Sequence, residues 1–551
     1  MTNDLKTYDL VVMGGGPAGL NAAREASILR KSVALVDNHK EIGGAGINTG
    51  TVPSKTLRET ALALSGLKSR NLYGVDLSLR REVTVADFLG HEEHVKDAFH
   101  ADITRRLQVL QATIYCGTST FLDAHTIQVN LGSEDREKDP SAPGGEIQLR
   151  GEKILIATGS SPVHPDVFPF GHGGIYDSDT ILKLDRIPKI LAVVGAGVIG
   201  AEYACTFRAL GAEVHILDGR NVLLPFLDAE VSQALVGALQ RSGIVFHWKE
   251  NVQKCIPLES GGVRLELSSG AALTVDAVLV AAGRQSHTAK LGLEKVGVKT
   301  GERGIIPVNE HFQTNIENIY AAGDVIGFPT LASTSMEQAR RAVRHALGLS
   351  GSAISPLLPN GIYTIPEVGM VGETEESLKK KGVAYIVGRA NYRENARGKI
   401  IGDLDGFLKL LFRQDDLKLI GVHIMGDLAT DVVHIGLVAM MCNASANLCR
   451  RLLKYANSRS ALQSRDAERA SKRSAFRETF LIEWTGQQLF TGPLLGVHAR
   501  NFFDPADPPI SVPLDNRCSA IGFHVETFGG ESLAPAEDGP VLEAFLAEIT
   551  L

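Results

Sequence analysis

One structural unit occurs twice in this sequence of 551 residues. The first copy, residues 8–37, has an apolar strand (YDLVVM), a glycine turn, an Ala-rich helix and a second strand that ends at Asp37. The second copy runs from the strand at residues 190–194 through the turn GAGVIG to EVHILD, which ends at Asp218. A strand, a crossover helix and a parallel strand form a βαβ unit. The repeat therefore predicts an α/β fold with two Rossmann-like, dinucleotide-binding domains.

Both turns have the spacing Gly-x-Gly-x-x-Gly, at Gly14, Gly16 and Gly19 and again at Gly195, Gly197 and Gly200. The first glycine of such a turn makes the tight bend, the second lets a pyrophosphate approach the backbone, and the third allows close helix packing. Asp37 and Asp218 each follow about 20 positions later, where an acid accepts hydrogen bonds from a ribose. The alternative is an ordinary turn that needs glycine only for steric reasons.

The segment at residues 314–324, TNIENIYAAGD, distinguishes the two nucleotides. It resembles the second FAD motif of flavoproteins with two dinucleotide sites, which implies that Asp324 binds the ribityl chain of FAD. A helix that begins near Leu331 and Ala332 would point its first amides at the flavin. The second glycine turn is then the nicotinamide nucleotide site. Asp218 favours NAD and Arg220 could accommodate the 2'-phosphate of NADP, unless Arg220 lies on a solvated loop.

Composition excludes several other classes of protein. The formal net charge of −7 offers no positive field for nucleic acid. The longest apolar runs, such as DAVLVAAG at residues 276–283, are too short to span a membrane. The amino terminus lacks the pattern of a signal peptide, which favours a cytoplasmic protein. Six cysteines without a Cys-x-x-Cys pair indicate reduced structural thiols, and no metal site is predicted.

The repeat also divides the chain into domains. We predict a discontinuous FAD-binding domain at residues 1–160 and 285–355, with the NAD(P)-binding domain at residues 161–284 between its two parts. Strands KIIGDL, GFLKLLF and LIGVHIM and an apolar helix at residues 429–441 predict a C-terminal α+β domain at residues 356–449. Residues 450–551 form an atypical tail. They are either a genuine extension or an out-of-frame translation, and the nucleotide sequence decides between the two.

The segment GINTGTVPSKTLRE at residues 46–59, with the two glycine motifs, resembles the pyridine nucleotide-disulfide oxidoreductases. In the disulfide-reducing members of that family, two cysteines precede Pro-Ser-Lys and relay electrons from the flavin. Gly46 and Thr51 stand at those two positions here. Disulfide exchange needs a thiolate and a partner sulfur, so a disulfide reductase is excluded unless another cysteine takes over. The pattern from Thr51 to Lys55 resembles the branch of the family that lacks the cysteine pair.

That resemblance implies FAD-dependent hydride transfer between NADPH and NAD+, in a homodimer or higher homo-oligomer formed through the C-terminal domain. Lys55, in the first turn of a helix after Pro53, and Glu202 match the family's ion pair beside the flavin, which implies a catalytic role in tuning it. The resemblance also implies cofactor contacts at Gly44, Gly117, Thr158, Gly159, Ser160, Val252 and Gly283.

Two other functions stay open at this point. A flavin without a thiol relay could pass hydride from NAD(P)H to a quinone, and the chain could also be a flavin-binding protein that has lost its activity. His434 does not have the proline and glutamate that accompany the acid-base histidine of disulfide reductases. We therefore expect it to be a packed or interface residue rather than a base.

Overall fold

The computed structural model describes residues 5–66, 84–132, 145–259, 261–349, 357–394 and 396–446. The hypotheses about the tail after residue 449 lie outside these ranges. All described residues belong to one compact unit of the chain.

Strands and helices alternate along most of the described chain, as the repeat predicts. The strands are β1 (Leu5–Met13), β2 (Val33–Asp37), β3 (Thr113–Phe121), β4 (Thr126–Leu131), β5 (Glu146–Ile156), β6 (Ser160–Pro162), β7 (Ile175–Tyr176), β8 (Ile190–Val194), β9 (Glu213–Asp218), β10 (Ile244–Trp248), β11 (Val252–Pro257), β12 (Val263–Leu267), β13 (Ala272–Val275), β14 (Ala277–Val280), β15 (Arg284–Ser286), β16 (Ile319–Ala321), β17 (Asn360–Ile362), β18 (Glu367–Gly372), β19 (Tyr385–Asn391), β20 (Phe407–Arg413) and β21 (Leu419–Gly426). The α-helices are α1 (Pro17–Ile28), α2 (Gly44–Asn48), α3 (Thr51–Ser65), α4 (Val85–Val109), α5 (Val198–Ala209), α6 (Ala229–Arg241), α7 (Leu293–Val296), α8 (Ala332–Ala346), α9 (Glu375–Lys381), α10 (Ala396–Ile401) and α11 (Ala429–Met441). Short 3-10 helices lie at Thr180–Lys183, Glu302–Gly304, Asp324–Ile326 and Tyr392–Glu394.

The first sheet contains β1 to β5 and β16. Strands β2, β1, β5 and β16 pair in parallel, and β4 runs antiparallel between β3 and β5. Val11, Val12 and Met13 of β1 have no exposed surface because helices or strands cover both faces of the sheet. On one face, α1 packs against α8 through small residues such as Ala22 and Ala339. This packing places the start of α1 at the carboxyl ends of β1 and β2.

The second sheet repeats the arrangement in the order β10, β9, β8, β14 and β7, all parallel. Helix α5 follows β8 as α1 follows β1, and β11 to β13 form a separate antiparallel sheet. The short strands β6 and β15 pair where the chain leaves the first sheet and returns to it. The predicted α/β class with two Rossmann-like units is confirmed.

The third sheet is antiparallel, in the order β17, β18, β21, β20 and β19, and α11 packs on β18 and β21. Strands GFLKLLF and LIGVHIM and the helix at Ala429–Met441 are confirmed. The strand predicted at KIIGDL is wrong, since residues 396–401 form α10. Ile400 and Leu404 are both exposed, so this short apolar alternation does not mark a buried strand face.

The helix that carries Lys55 also begins earlier than predicted. Helix α3 starts at Thr51, and Lys55 therefore lies in its second turn rather than in a first turn after Pro53. Proline is tolerated in the first turn of a helix because the N–H groups there have no intrahelical partner. Within the described ranges, no helix combines the length and apolar character that crossing a membrane requires.

Candidate functional site

The first glycine turn connects β1 to α1 and uses its glycines in two ways. Gly14 has a φ of +110°, and a Cβ there would collide with the carbonyl oxygen of Ala157. A Cβ on Gly19 would collide with the carbonyl oxygen of Gly14. Gly16 differs, because the nearest atom to a Cβ there is Cα of Gly44 at 3.7 Å. The fold itself needs Gly14 and Gly19, whereas Gly16 keeps the start of α1 accessible to a ligand.

The carboxylate of Asp37 lies against the same turn. Its Oδ2 accepts the N–H of Gly15 at 2.5 Å, and its Oδ1 accepts the N–H of His39 at 2.8 Å. A carboxylate has about four lone-pair sites, so Asp37 can also accept a ribose hydroxyl. The structure thus puts Asp37 beside the turn, as the ribose role requires.

Gly44 and Gly117 lie at this same edge of the first sheet. Gly44 has a φ of +56°, and a Cβ there would lie 2.7 Å from Cα of Gly16. Gly117 follows Cys116, which is the register partner of Asp37. A Cβ on Gly117 would collide with a backbone carbonyl of β4, so this glycine has a structural reason independent of any cofactor.

Asp324 is held by a serine and an arginine. The hydroxyl of Ser160 donates to Oδ2 of Asp324 at 2.9 Å. Arg284 donates from Nε to the Ser160 hydroxyl at 2.8 Å and from Nη2 to the Ser160 carbonyl oxygen at 2.6 Å. The sequence analysis missed Arg284, although it directly follows the predicted residue Gly283. This chain of hydrogen bonds fixes the carboxylate that the resemblance assigns to the ribityl chain.

Helix α8 begins at Ala332 with Leu331 as its N-cap, as predicted, and no side chain caps it. Gln338 of this helix accepts the N–H of Gly323 at 2.9 Å. The second turn of α8 is therefore hydrogen-bonded to the residue that precedes Asp324. Gln338 is a second residue that the sequence analysis missed.

The second glycine turn reproduces the geometry of the first. Gly195 has a φ of +112°, and a Cβ on it would collide with the carbonyl oxygen of Ala281. A Cβ on Gly200 would collide with the carbonyl oxygen of Gly195. Around Gly197 no heavy atom lies within 4 Å of the Cβ position. The turn again combines two sterically required glycines with one that leaves open space at the start of α5.

Asp218 and Arg220 form an ion pair beside this second turn. Asp218 accepts the N–H of Ala196 at 2.7 Å, and the Arg220 side chain donates to both of its carboxylate oxygens, at 2.9 and 2.8 Å. Burial alone would raise the pKa of the Asp218 carboxyl, but the hydrogen bonds from Arg220 and Ala196 outweigh it and lower the pKa to about 2. The predicted residues are together, and Asp218 is charged at neutral pH.

Four predicted contact residues remain: Thr158, Gly159 and Gly283 lie on connecting segments, and Val252 lies at the start of a strand. Gly159 and Gly283 have φ values of +71° and +109°, a backbone region that favours glycine. The Thr158 hydroxyl donates to the carbonyl oxygen of His287 at 2.8 Å. Val252 opens β11, away from both glycine turns in sequence. The cofactor contacts of these four residues remain predictions.

Lys55 and Glu202 meet where α3 packs against α5. Nζ of Lys55, on α3, lies 2.6 Å from Oε2 of Glu202, on α5. Oε1 of Glu202 accepts the N–H of Tyr363 at 2.9 Å, and Nζ of Lys55 lies 5.0 Å from the centre of the Tyr363 ring. Tyr363 follows β17, and nothing in its local sequence indicates this contact. Three segments that are distant in sequence thus hold one buried carboxylate and one half-buried ammonium.

Positions 46 and 51 carry no sulfur. Gly46 lies in α2, and a Cβ there would lie 2.6 Å from Cγ of Pro17, while Thr51 opens α3. A side chain at position 46 would therefore require Pro17 to shift. Elsewhere in the described chain, burial raises the pKa of Cys205 to about 12 and that of Cys255 to about 11, so both remain protonated thiols.

His434 is exposed on α11, so the expectation of a histidine packed within the chain is wrong. Val438 and Met441, which follow on the same helix, are also exposed. The alternative of an interface histidine stays a prediction.

Three carboxylates in the described chain come close enough to hold a metal ion, those of Asp228, Glu230 and Glu375. Nζ of the fully buried Lys409 already lies 2.6, 2.9 and 2.5 Å from their oxygens. An ammonium group therefore takes the position that a cation would need.

The paired glycine turns and the two acids that accompany them define a flavoprotein with two dinucleotide sites. Residues 8–346 match the family described as pyridine nucleotide-disulphide oxidoreductase, and residues 358–460 match its dimerisation domain. The chain belongs to the pyridine nucleotide-disulphide oxidoreductase family.

Two relatives share one name. The chain is 44% identical over 441 residues to the soluble pyridine nucleotide transhydrogenase of Mycobacterium tuberculosis, an alignment that covers 80% of this chain and 92% of the relative. It is 38% identical over 434 residues to the soluble pyridine nucleotide transhydrogenase of Pseudomonas putida, with 79% and 91% covered.

Two solved structures are similar to this chain. LpdA from M. tuberculosis matches with a TM-score of 0.73 at 26% identity, covering 81% of this chain and 95% of that one. The HOCl-induced flavoprotein disulfide reductase RclA from Escherichia coli matches with a TM-score of 0.70 at 26% identity, covering 80% and 95%.

Family membership implies FAD and nicotinamide nucleotides, and the first turn fits FAD. The dinucleotide's pyrophosphate needs a helix N-terminus that side chains do not block. Helix α1 meets this condition because Gly16 is its N-cap and no side chain caps it. Asp37 would supply a ribose acceptor at one side, and Asp324, held by Ser160, would supply a second acceptor.

Proposed function

We propose that this chain is an FAD-dependent enzyme that transfers hydride from NADPH to NAD+ without a redox disulfide. The observation that carries the proposal is the contact between Lys55 and Glu202, which joins the helix that begins at Thr51 to the helix of the second glycine turn. That contact accompanies a glycine and a threonine where a disulfide relay would need cysteines. The name shared by the relatives from M. tuberculosis and P. putida supports the same reaction.

FAD, when bound, supplies a centre that takes a hydride from one nicotinamide nucleotide and gives it to another. The chain itself binds and orients the reactants. Gly16 and the start of α1 would hold the FAD pyrophosphate, and Asp324 would hold the ribityl chain. Gly197 and the start of α5 would bind NADPH and then NAD+ in turn at one site. Such positioning converts a bimolecular step into an effectively unimolecular one.

Lys55 and Glu202 are proposed to orient and tune the flavin rather than to move a proton. A cation near the ring favours the negative charge that appears on reduction. Glu202 keeps that cation in place through its 2.6 Å contact and is itself fixed by the N–H of Tyr363. Hydride transfer between two nicotinamides requires no acid or base, which agrees with the exposed position of His434.

The proposed enzyme is a cytoplasmic homodimer or higher homo-oligomer. The match of residues 358–460 to a dimerisation domain supports the oligomer. The boundaries at residues 160, 284, 355 and 449 are proposed with it, because the first sheet takes strands from residues 5–156 and again from 319–321.

The test is a spectral assay on the FAD-loaded full chain. NADPH is mixed with thio-NAD+, whose reduced form absorbs at a different wavelength, and a quinone replaces thio-NAD+ in a parallel reaction. We expect rapid reduction of thio-NAD+. Reduction of the quinone alone would replace the proposal with a diaphorase. If anaerobic NADPH fails to bleach the bound FAD, neither enzyme activity holds.

A further inference from the structure

The ion pair at the second nucleotide site combines a fixed acid with an exposed base. The Asp218 side chain is only 7% exposed and is bound to the backbone of the glycine turn through Ala196. The Arg220 side chain is 53% exposed. A carboxylate held in this way stays in place, whereas the outer part of the arginine can change partners.

The backbone of Arg220 is anchored independently of its side chain. Its N–H donates to Oδ1 of Asp218 at 2.8 Å, and its carbonyl oxygen accepts the N–H of Lys249 at 3.0 Å. Any change of partner therefore needs only rotation of the side chain. The exposed residue Lys249 brings a second positive charge to the same short segment.

Asp218 alone would select against NADPH. An acid at the end of the second strand accepts the 2'-hydroxyl of NADH, and it repels a 2'-phosphate at the same place. Arg220 offsets that charge. Its Nε and Nη2 donate to Asp218, and because a guanidinium has five N–H donors, others remain for a phosphate. Phosphate and guanidinium form strong, charge-assisted hydrogen bonds.

We propose that the Asp218–Arg220 pair lets one site accept both NADH and NADPH. Asp218 already accepts four hydrogen bonds, which is about the number that a carboxylate can take. With NADH, Nη2 of Arg220 releases Oδ2 of Asp218, which then accepts the ribose 2'-hydroxyl, while Nε of Arg220 stays bound to Oδ1. With NADPH, Arg220 turns toward the 2'-phosphate and screens it from Asp218. This inference rests on the proposed function, because an enzyme that transfers hydride from NADPH to NAD+ through a single site must bind both nucleotides there.

Equilibrium binding of nucleotide fragments tests the role of the Asp218–Arg220 pair without enzyme turnover. Isothermal titration of the FAD-loaded protein with adenosine 2',5'-bisphosphate and with 5'-AMP compares ligands that differ in the 2'-phosphate. Arg220→Gln should raise the Kd of the bisphosphate by about 10- to 100-fold, and that of 5'-AMP by less than about threefold. Arg220→Lys should give an intermediate loss, since an ammonium lacks the planar fork.

Asp218→Asn should change the Kd of the bisphosphate in the opposite direction. Its amide oxygen can still accept the N–H of Ala196, so the turn is retained, but the repelling charge is gone and Arg220 is released. The bisphosphate should then bind more tightly and 5'-AMP more weakly than to the wild type. Arg241→Gln is the matched control, because Arg241 is similarly exposed and bound to Asp405 at 2.9 Å. It should change neither Kd.

Equal losses for both ligands in Arg220→Gln, or weaker bisphosphate binding in Asp218→Asn, would overturn the inference. The two proposals fail separately. If Arg220 controls bisphosphate binding but thio-NAD+ is not reduced by NADPH, only the transhydrogenase reaction is lost. If thio-NAD+ is reduced but Arg220→Gln has no effect on bisphosphate affinity, only the role of the pair is lost.

Discussion

The Lys55 ammonium lies between the Glu202 carboxylate and the ring of Tyr363. The Glu202 side chain is 7% exposed, and its carboxylate also accepts the backbone N–H of Tyr363. A buried carboxylate that loses its cation is destabilised strongly, although the 28% exposure of Lys55 moderates this effect here. The contact therefore has both a structural and a functional consequence, which substitution can separate.

Lys55→Met should lower the free energy of unfolding by about 1–3 kcal/mol, less than for a fully buried pair. It should also slow the anaerobic bleaching of bound FAD by NADPH at least tenfold, because the cation that favours the reduced flavin is gone. Urea unfolding and stopped-flow absorbance measure the two effects. Lys183→Met, at an exposed position, is the control. Wild-type bleaching in Lys55→Met would leave the pair a purely structural role.

Alanine substitutions at Gly16 and Gly197 should change ligand affinity with little effect on the stability of the fold. Gly16 has a φ of −77°, and the nearest atom to its Cβ position is 3.7 Å away, so Gly16→Ala should fold with little change in stability. The added methyl group would occupy the pyrophosphate position, and we expect at least a tenfold loss of FAD affinity in the refolded apoprotein, measured by flavin fluorescence.

Gly197→Ala is the matched variant. Its Cβ would meet no protein atom within 4 Å, so the variant should fold and keep FAD. The added methyl group would stand at the start of α5, and we therefore expect a loss of affinity for adenosine 2',5'-bisphosphate. If Gly16→Ala weakened the bisphosphate and Gly197→Ala weakened FAD, the assignment of the two turns would be reversed.

At the scale of elements, the two short strands β6 and β15 hold the Asp324 carboxylate. Ser160 lies on β6 and Arg284 on β15, and the two residues are joined by two hydrogen bonds in addition to the strand pairing. Arg284→Met should leave the Ser160 hydroxyl free to rotate and Asp324 less well oriented. We expect faster release of FAD on dilution, followed by the rise in flavin fluorescence, without unfolding. Arg264→Met, on the exposed side of β12, should release FAD at the wild-type rate.

Some elements of the fold were predictable from the sequence and others were not. The βαβ units and α11 were predictable because long apolar runs and glycine turns reflect local requirements of the backbone. The segment KIIGDL was too short for its periodicity to distinguish a strand from a helix. Arg284 and Tyr363 were not found, because their partners Ser160 and Glu202 lie more than a hundred positions away. Such contacts depend on how the sheets assemble, which local patterns do not encode.

At the scale of the whole molecule, Lys409 ties the second sheet's domain to the third sheet. It lies on β20 and binds Asp228 and Glu230 at the start of α6 and Glu375 at the start of α9. Burial by itself would raise the pKa of Asp228 and of Glu375, but hydrogen bonds from Lys409 outweigh it. The pKa of Glu375 falls to about 2.

Lys409→Met should lower the free energy of unfolding by about 3–5 kcal/mol at neutral pH, because three carboxylates lose a buried cation. Carboxyl groups with a depressed folded-state pKa stabilise the fold above their unfolded pKa of about 4, and this stabilisation is lost as the pH falls toward 2. The wild type should therefore lose stability over that interval more steeply than Lys409→Met. Urea unfolding at several pH values measures this, with Lys299→Met, at an exposed position, as the control. Parallel pH curves would contradict the role of Lys409.

The absence of sulfur at positions 46 and 51 leads to a prediction for the complete enzyme. A disulfide reductase reduced by NADPH exposes thiolates that iodoacetamide blocks, whereas this chain would carry hydride on the flavin alone. Cys205 and Cys255 are buried thiols whose raised pKa values make them unreactive, and the exposed Cys442 lies at the end of α11 rather than beside positions 46 and 51 in the sequence. Alkylation after reduction with NADPH should therefore leave the reduction of thio-NAD+ unchanged, while a disulfide reductase of the same family loses its activity. If activity falls only when NADPH precedes the reagent, another cysteine carries electrons, and mass spectrometry of the alkylated chain would identify it.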